Sequence, residues 1–322
     1  MRVAWICCAL LIFSPATAKA QADYPSKPVH IIVGFGPGSA ADLTARVLAQ
    51  RLSATLGQSF VVEIKPGGGS TVAAEQVARA PKDGYTLFIG TVAVIINGLL
   101  TPNPRVNLAT DFAPIILATS SANLLVVNPS VGVSNVKELI ALAKEKPGQL
   151  NFGTSGFGTS PHLTGELFNI MAGTKIVSVH YQGSAQALTD LLGGRIQVMF
   201  SPASTVLAQV ESGQLRGLAS SEITRTASAP NLPTVAESGL PGFDTSLWFG
   251  VVAPAGTPRP IIDKLSAALI EALKNDEVTK PLRAAGLDVK GGTPDEFAAY
   301  IASETEKYTA VVNSGGLRKK EP

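Results

Sequence analysis

The chain of 322 residues is 45% hydrophobic but only 6% aromatic, and its 26 Lys and Arg face 24 Asp and Glu. That even balance excludes a basic surface for nucleic acid, and no apolar run beyond the leader approaches the ~20 residues a membrane span needs. Roughly 300 residues after the leader suggest two domains of ~150 each, with ample length for a core of helices packed on parallel strands.

Residues 1–20 carry the parts of a secretory signal in order: Arg2, an apolar stretch over 3–13, and Ala18-Lys19-Ala20 as cleavage site. The mature, exported chain is expected to begin at Gln21. Both cysteines, Cys7 and Cys8, fall in the leader, so the mature chain has no disulfide, thiol nucleophile or cysteine metal site. Neither follows the apolar run, which argues against a lipoprotein. Without Arg2 and Lys19 the chain keeps 24 basic and 24 acidic residues.

Val29 to Val33 reads as a buried parallel strand. Gly34, Gly36, Pro37 and Gly38 then break regular structure, and Leu43, Val47, Leu48 and Leu52 mark one face of a helix. A glycine turn between strand end and helix start gathers unpaired amides and the positive helix end, which suits an anion. Phe60 to Ile64 is a second strand, followed by Pro66-Gly67-Gly68-Gly69 and a helix over 71–80 with Ser70 as N-cap. Tyr85 to Ile89 is a third strand, with Thr91 at the same carboxyl edge. Alternation of this kind predicts βαβ units on a parallel sheet.

Two apolar runs within 113–127, separated by Thr119 to Ala122, take the chain into a second domain. There Ser134 is expected to cap a helix ending near Lys146. Leu150 to Gly153 is a strand, and Thr154 to Thr159 is a Gly/Ser/Thr loop. Ser160 and Pro161 open the next helix, as N-cap and first residue. Further strands are expected over 176–180, 195–200 and 214–219, with a Ser184-capped helix to Leu192 and an irregular stretch over 232–242. Trp248 to Ala253 returns to the first domain, and helices over 260–275 and 294–312 precede a charged tail expected to be disordered. The boundaries are 1–20 signal peptide, 21–122 first lobe, 123–245 second lobe, and 246–322 return to the first. Two α/β lobes with both glycine loops facing one cleft make a clamshell, which binds ligands at strand carboxyl ends.

Gly36 to Ala41 also fits the dinucleotide pattern G-x-G-x-x-A, with Glu63 near the end of the next strand. Export and a stiffening proline argue against a nicotinamide-dependent oxidoreductase, the rival class. His30 and His180 lie in or at the end of strands and read as structural, whereas His162, in a first helical turn, is a candidate for ligand contact. Three scattered histidines make no metal site. Neither Ser155 nor Ser160 sits in G-x-S-x-G, so a serine hydrolase is disfavoured. Asp42 and Arg46, four apart, are expected to form a helix-surface ion pair.

The residues resemble a known family. Tyr24-Pro25 with Lys27-Pro28, Phe35 to Asp42, Lys65 to Gly69, Asp83 to Leu87, Tyr181 to Phe200, Pro233 to Gly239 and Ala253 to Pro258 resemble the Bug-type, TctC-like extracytoplasmic solute receptors of tripartite tricarboxylate transporters. The likeness covers essentially the whole mature chain. It implies an α/β two-lobed periplasmic binding protein (type II clamshell), each lobe a mostly parallel sheet flanked by helices. The implied receptor is a monomer that takes a small carboxylate and serves transporter membrane subunits, with no catalytic residue, metal, cofactor or nucleic acid. By the same resemblance the loop with Phe35, Gly36, Gly38, Ser39, Ala40 and Ala41 and the loop with Ser155, Gly156, Thr159 and Ser160 pinch one carboxylate. Thr91, Tyr181, Phe200 and Ser201 then line the rest of the pocket. Three positions depart from the family: Gly34 stands where proline is usual, Ser39 replaces a glycine, and Ser201 stands where aspartate is frequent. The last removes the carboxylate that an ammonium group would pair with.

Overall fold

The computed structural model describes residues 24–317, so the expected signal peptide and the tail past Leu317 lie outside the described residues. Within them the strands are β1 (Val29–Val33), β2 (Phe60–Ile64), β3 (Thr86–Thr91), β4 (Phe112–Val127), β5 (Asn151–Thr154), β6 (Val177–His180), β7 (Val198–Pro202), β8 (Arg216–Ser220), β9 (Ser246–Pro254) and β10 (Asp288–Gly291). The α-helices are α1 (Ala40–Leu56), α2 (Thr71–Ala78), α3 (Val92–Leu100), α4 (Val136–Glu145), α5 (Ser160–Ala172) and α6 (Ser184–Leu192). They continue with α7 (Ala203–Glu211), α8 (Arg259–Ala272), α9 (Asp276–Ala284) and α10 (Pro294–Ser314).

One sheet runs β2-β1-β3-β9-β4 with β10 on the far side of β4, and a second runs β6-β5-β7-β4-β8. Both are mixed. β1 is parallel to β2 and β3, and β5 to β6 and β7, while β9, β4, β8 and β10 join antiparallel. The two apolar runs over 113–127 are therefore one strand, β4. Up to Ala122 it pairs with β9, and from Asn123 onward with β7. The polar residues between the runs do not interrupt it, because their side chains find partners in the crossing region. Ser120 Oγ donates to buried Glu222, and Ser121 Oγ donates to Gly286 O at 3.2 Å.

Side-chain alternation places the cores. In β1, Ile31 and Val33 face α1 and α8 while Ile32 faces α2, α3 and α10. In β4, Leu125 and Val127 face α4 and α5, and Leu124 and Val126 face α6 and α7. Strands buried on both faces read as unbroken apolar runs. Their burial contributes about 1.5–3 kcal/mol per large aliphatic side chain before entropy is counted.

Three local expectations change. Ser70 does not cap α2: its backbone is left-handed (φ +77°), and its hydroxyl makes no cap bond. Asn135, not Ser134, caps α4, accepting Glu138 N–H at 3.0 Å. Gly183 rather than Ser184 holds the N-cap place of α6. The chain also forms α3, α7, α9 and β10 where no element was expected. α3 is apolar on nearly every side, so it shows no helical period.

Candidate ligand-binding cleft

Parallel strands deliver their connecting loops to one edge, so β1 and β5 each end in a glycine loop that starts a helix on the same cleft. In the first loop Gly38 takes φ +77°, a value side chains avoid, and its amide donates to Asp42 Oδ2 at 2.9 Å. Ser39 is the N-cap of α1, with extended backbone and Oγ accepting Asp42 N–H at 3.2 Å. Asp42 is buried and pairs with Arg46 Nε at 2.7 Å. Both charges are thus engaged in holding the loop. The first-turn amides of Ala40 and Ala41, which have no intrahelical acceptor, stay available at the cleft wall.

The second loop is built differently. Thr159, one residue earlier than expected, takes the N-cap place of α5, and its hydroxyl donates to Gly156 O at 2.7 Å. Ser160, buried in the first turn, accepts a hydrogen bond from Asn123 Nδ2 at 3.0 Å. Gly158 N–H donates to His162 Nδ1 at 3.1 Å.

A third wall comes from Pro66 to Gly69, after β2. Gly67, Gly68, Gly69 and Ser70 have successive φ values of 144°, 56°, 60° and 77°. Ser70 is fully buried beneath this loop, and a Cβ on Gly34 would lie 1.9 Å from its Oγ. Glycine at position 34, where proline is usual in the resembling family, is what lets Ser70 pack there. The starts of α6 and α7 contribute Ser184, Ser204 and Thr205, and β9 contributes Leu247 and Phe249.

The resulting cleft has a volume of about 780 Å³. No Lys, Arg, His, Asp or Glu is among the residues lining it. It offers helix N-termini, amides and hydroxyls, with apolar surface between, and carries no formal charge of its own.

The structure brings Phe35, Gly36, Gly38, Ser39, Ala40, Ala41, Ser155, Gly156, Thr159 and Ser160 together on this cleft. Four other candidates lie off it. The ring of Phe200 packs between Phe168 and Phe243 in the second-lobe core. Tyr181 donates its hydroxyl to Asp190 Oδ2 at 2.9 Å, and burial with that bond pushes its pKa up to about 12. Thr91 and Ser201 are fully buried, and neither hydroxyl has a hydrogen-bond partner among the described residues. His162 also misses the cleft, standing behind Gly158. His30 and Glu63 bond to each other at 2.6 Å, so Glu63 is engaged in the first sheet. Sequence reasoning missed the third glycine loop as a wall, although its glycines follow a parallel strand just as the first loop's do. It also missed Asn97, which lines the cleft from the unrecognised α3.

The fold and this site define a two-lobed α/β solute-binding receptor. Residues 44–317 match the family described as "Tripartite tricarboxylate transporter family receptor". The chain belongs to that family, whose members are solute-binding receptors and not enzymes. It is 36% identical to protein BugT of Bordetella pertussis over 306 residues, 94% of each chain. It is 33% identical over 306 residues to a protein of Pseudomonas sp. strain P51 encoded between tcbD and tcbE, covering 94% of this chain and 91% of the other. Among solved structures it resembles R. palustris Rpa4515 with adipate, at 37% identity and TM-score 0.79 over 91% of this chain and 98% of that one. It also resembles MatC from Rhodopseudomonas palustris with bound malate, at 29% identity and TM-score 0.76 over 90% and 100%.

Proposed function

We propose that this chain is an exported, periplasmic receptor that captures a small carboxylate between its lobes and delivers it to the membrane subunits of a tripartite tricarboxylate-type transporter. The observation that carries this reading is the cleft itself: converging helix N-termini and neutral donors, with no charged side chain on the lining. Such a site favours an anion without an arginine clamp. The loop over 35–41 and the loop over 155–160 hold the carboxylate from opposite lobes, residues 24–122 with 246–317 on one side and 123–245 on the other. The adipate and malate in similar structures support the carboxylate class.

The test is a thermal-shift screen of the purified mature protein over mono- and dicarboxylates, including adipate and malate, followed by calorimetry. At least one carboxylate should raise Tm and bind with one-to-one stoichiometry as a monomer. A panel in which uncharged or cationic solutes bind and carboxylates do not would refute the reading.

A further inference from the structure

Two imidazoles stand behind the second-lobe wall, away from the lining. His162 is 1% exposed, and its Nδ1 accepts Gly158 N–H at 3.1 Å. Only an unprotonated Nδ1 can accept, so the ring proton must sit on Nε2, which faces Glu166 Oε1 at 3.7 Å. The rings of His162 and His180 meet edge to face at 4.7 Å, and Phe157 packs on both, at 4.9 and 5.6 Å. His180 Nδ1 lies 3.0 Å from Thr154 Oγ1, which accepts Gly156 N–H at 3.2 Å. Gly156, Phe157 and Gly158 all line the cleft. Each of the two loop glycines is therefore held from the rear by a side chain that belongs to or touches this imidazole pair.

We propose that neutral His162 is a positioning residue: by accepting the Gly158 amide it fixes the loop that forms the second-lobe face of the binding cleft, and protonation of the ring releases that face. This rests on the reading of the cleft as a carboxylate site. A protonated ring has a donor at both nitrogens, so Nδ1–H would oppose the Gly158 N–H and the loop would have to move. The groups facing His162 are Glu166 on its own helix and His180 on β6. On the α3 side, Leu100, Asn97 and Ile96 approach Gly158 and carry no charge. Burial and the neighbouring His180 push the His162 pKa down to about 4, and burial raises that of Glu166, so the pair is poised to keep the ring neutral near pH 7. The helical position also explains why the residue looked like a ligand contact in the sequence: it lies in the correct turn, one layer too deep.

The experiment compares wild type, His162→Phe and His162→Asn. Phenylalanine keeps a ring against Phe157 but has no acceptor, whereas asparagine places an oxygen near the position of Nδ1. Nitrogen-15 NMR on the ligand-free proteins is the first arm. It should show a bare Nδ1 in wild type, a Gly158 amide that titrates together with the His162 ring, loss of that amide's exchange protection in His162→Phe, and its recovery in His162→Asn. An unchanged Gly158 amide in His162→Phe, or a proton on Nδ1 at neutral pH, overturns the proposal. The second arm is calorimetry with adipate and malate as probes. At pH 7 His162→Phe should bind about tenfold more weakly and His162→Asn within about twofold of wild type, the difference one hydrogen bond makes. On acidification the wild type should lose affinity relative to His162→Asn, a ratio from which protonation of the ligand cancels. Equal affinity across all three proteins overturns the link to binding. If no carboxylate of the thermal-shift panel binds any of them while the Gly158 amide responds to His162, the carboxylate reading fails and the positioning role stands.

Discussion

Replacing a bound carboxylate by its amide, at low and at high salt, tests the charge-free cleft directly. The walls supply the first-turn amides of Ala40 and Ala41 from α1 and of Ser160 from α5, with hydroxyls around them. A hydrogen bond to a charged group contributes about 1.5–3 kcal/mol, a neutral one about 0.5–1.5. Three such bonds then separate carboxylate from amide by roughly 3 kcal/mol, and the ends of α1 and α5 add about 1 kcal/mol or more between them. Roughly 4 kcal/mol corresponds to about a thousandfold in affinity. The amide also turns an NH₂ toward a wall of donors, which opposes binding further. Salt acts separately. Asp42 is neutralised locally by Arg46 at 2.7 Å, and no charged side chain lines the cleft, so no long-range attraction is available to screen. Raising salt from about 50 to 500 mM, across Debye lengths of roughly 14 to 4 Å, should change the affinity for the carboxylate less than about threefold. Calorimetry with the best carboxylate and its amide at both salt levels measures both effects. Comparable binding of the amide, or a steep fall with salt, would refute the picture of neutral donors and helix ends.

Three further outcomes follow from the same geometry. Gly34→Ala should displace the Pro66–Ser70 loop, because the new Cβ would fall 1.9 Å from Ser70 Oγ and 2.6 Å from Ser70 Cα; Tm and affinity should both drop, with partial relief from Ser70→Gly in the same chain, and an unchanged Tm in Gly34→Ala would count against it. Ser39 is half-buried and caps α1, so Ser39→Leu should cost about 1 kcal/mol in urea unfolding and also abolish carboxylate binding, and retained binding would show that the first loop is not the contact. Acid should destabilise the protein through His162, whose pKa is pushed down to about 4 in the fold from the 6.5 of a free imidazole: between those values the unfolded chain binds more protons, so stability falls as pH is lowered, by up to about 3 kcal/mol from this group. Urea unfolding at pH 7 and 4.5 should show a smaller loss in His162→Asn, and parallel losses would refute the assignment.

Much of this molecule could be read from its residues, for reasons that differ between elements. β1 and β5 were legible because they are largely buried and run into glycine loops, β2 because Phe60 to Ile64 is a run of strand-forming residues stopped by Pro66 and three glycines, and α1 because its apolar face recurs at helical spacing. The first two glycine loops were found since each joins such a strand to such a helix. α3 was hidden by the opposite cause: Val92 to Ile96 are buried all round, so hydrophobicity has no period to detect. α9 carries Pro281 inside it, which in isolation argues for a break. Caps shifted by one residue because several serine, threonine and asparagine side chains stood within reach and tertiary contacts chose among them, as at Thr159, where the hydroxyl folds back onto Gly156. Phe200 and Tyr181 came from the family resemblance, and only packing shows that one is core and the other bound to Asp190. The depth of His162 was equally invisible: a helix's first turn has a front and a back, and sequence does not say which is which.

The unbroken passage of β4 through both sheets has a mechanical consequence. A hinge made of a loose loop turns freely, like a pin. A strand that stays hydrogen-bonded on either side of Ala122 and Asn123 bends more like a leaf spring, so a change of angle between the lobes is shared over neighbouring residues and opposed by the ladder on each side. The spring is also geared to the ligand. Asn123, the first residue beyond the bend, holds Ser160 at 3.0 Å and Thr164 at 3.2 Å through one amide group. A single side chain thus ties the point where the strand changes partners to a hydroxyl on the cleft wall.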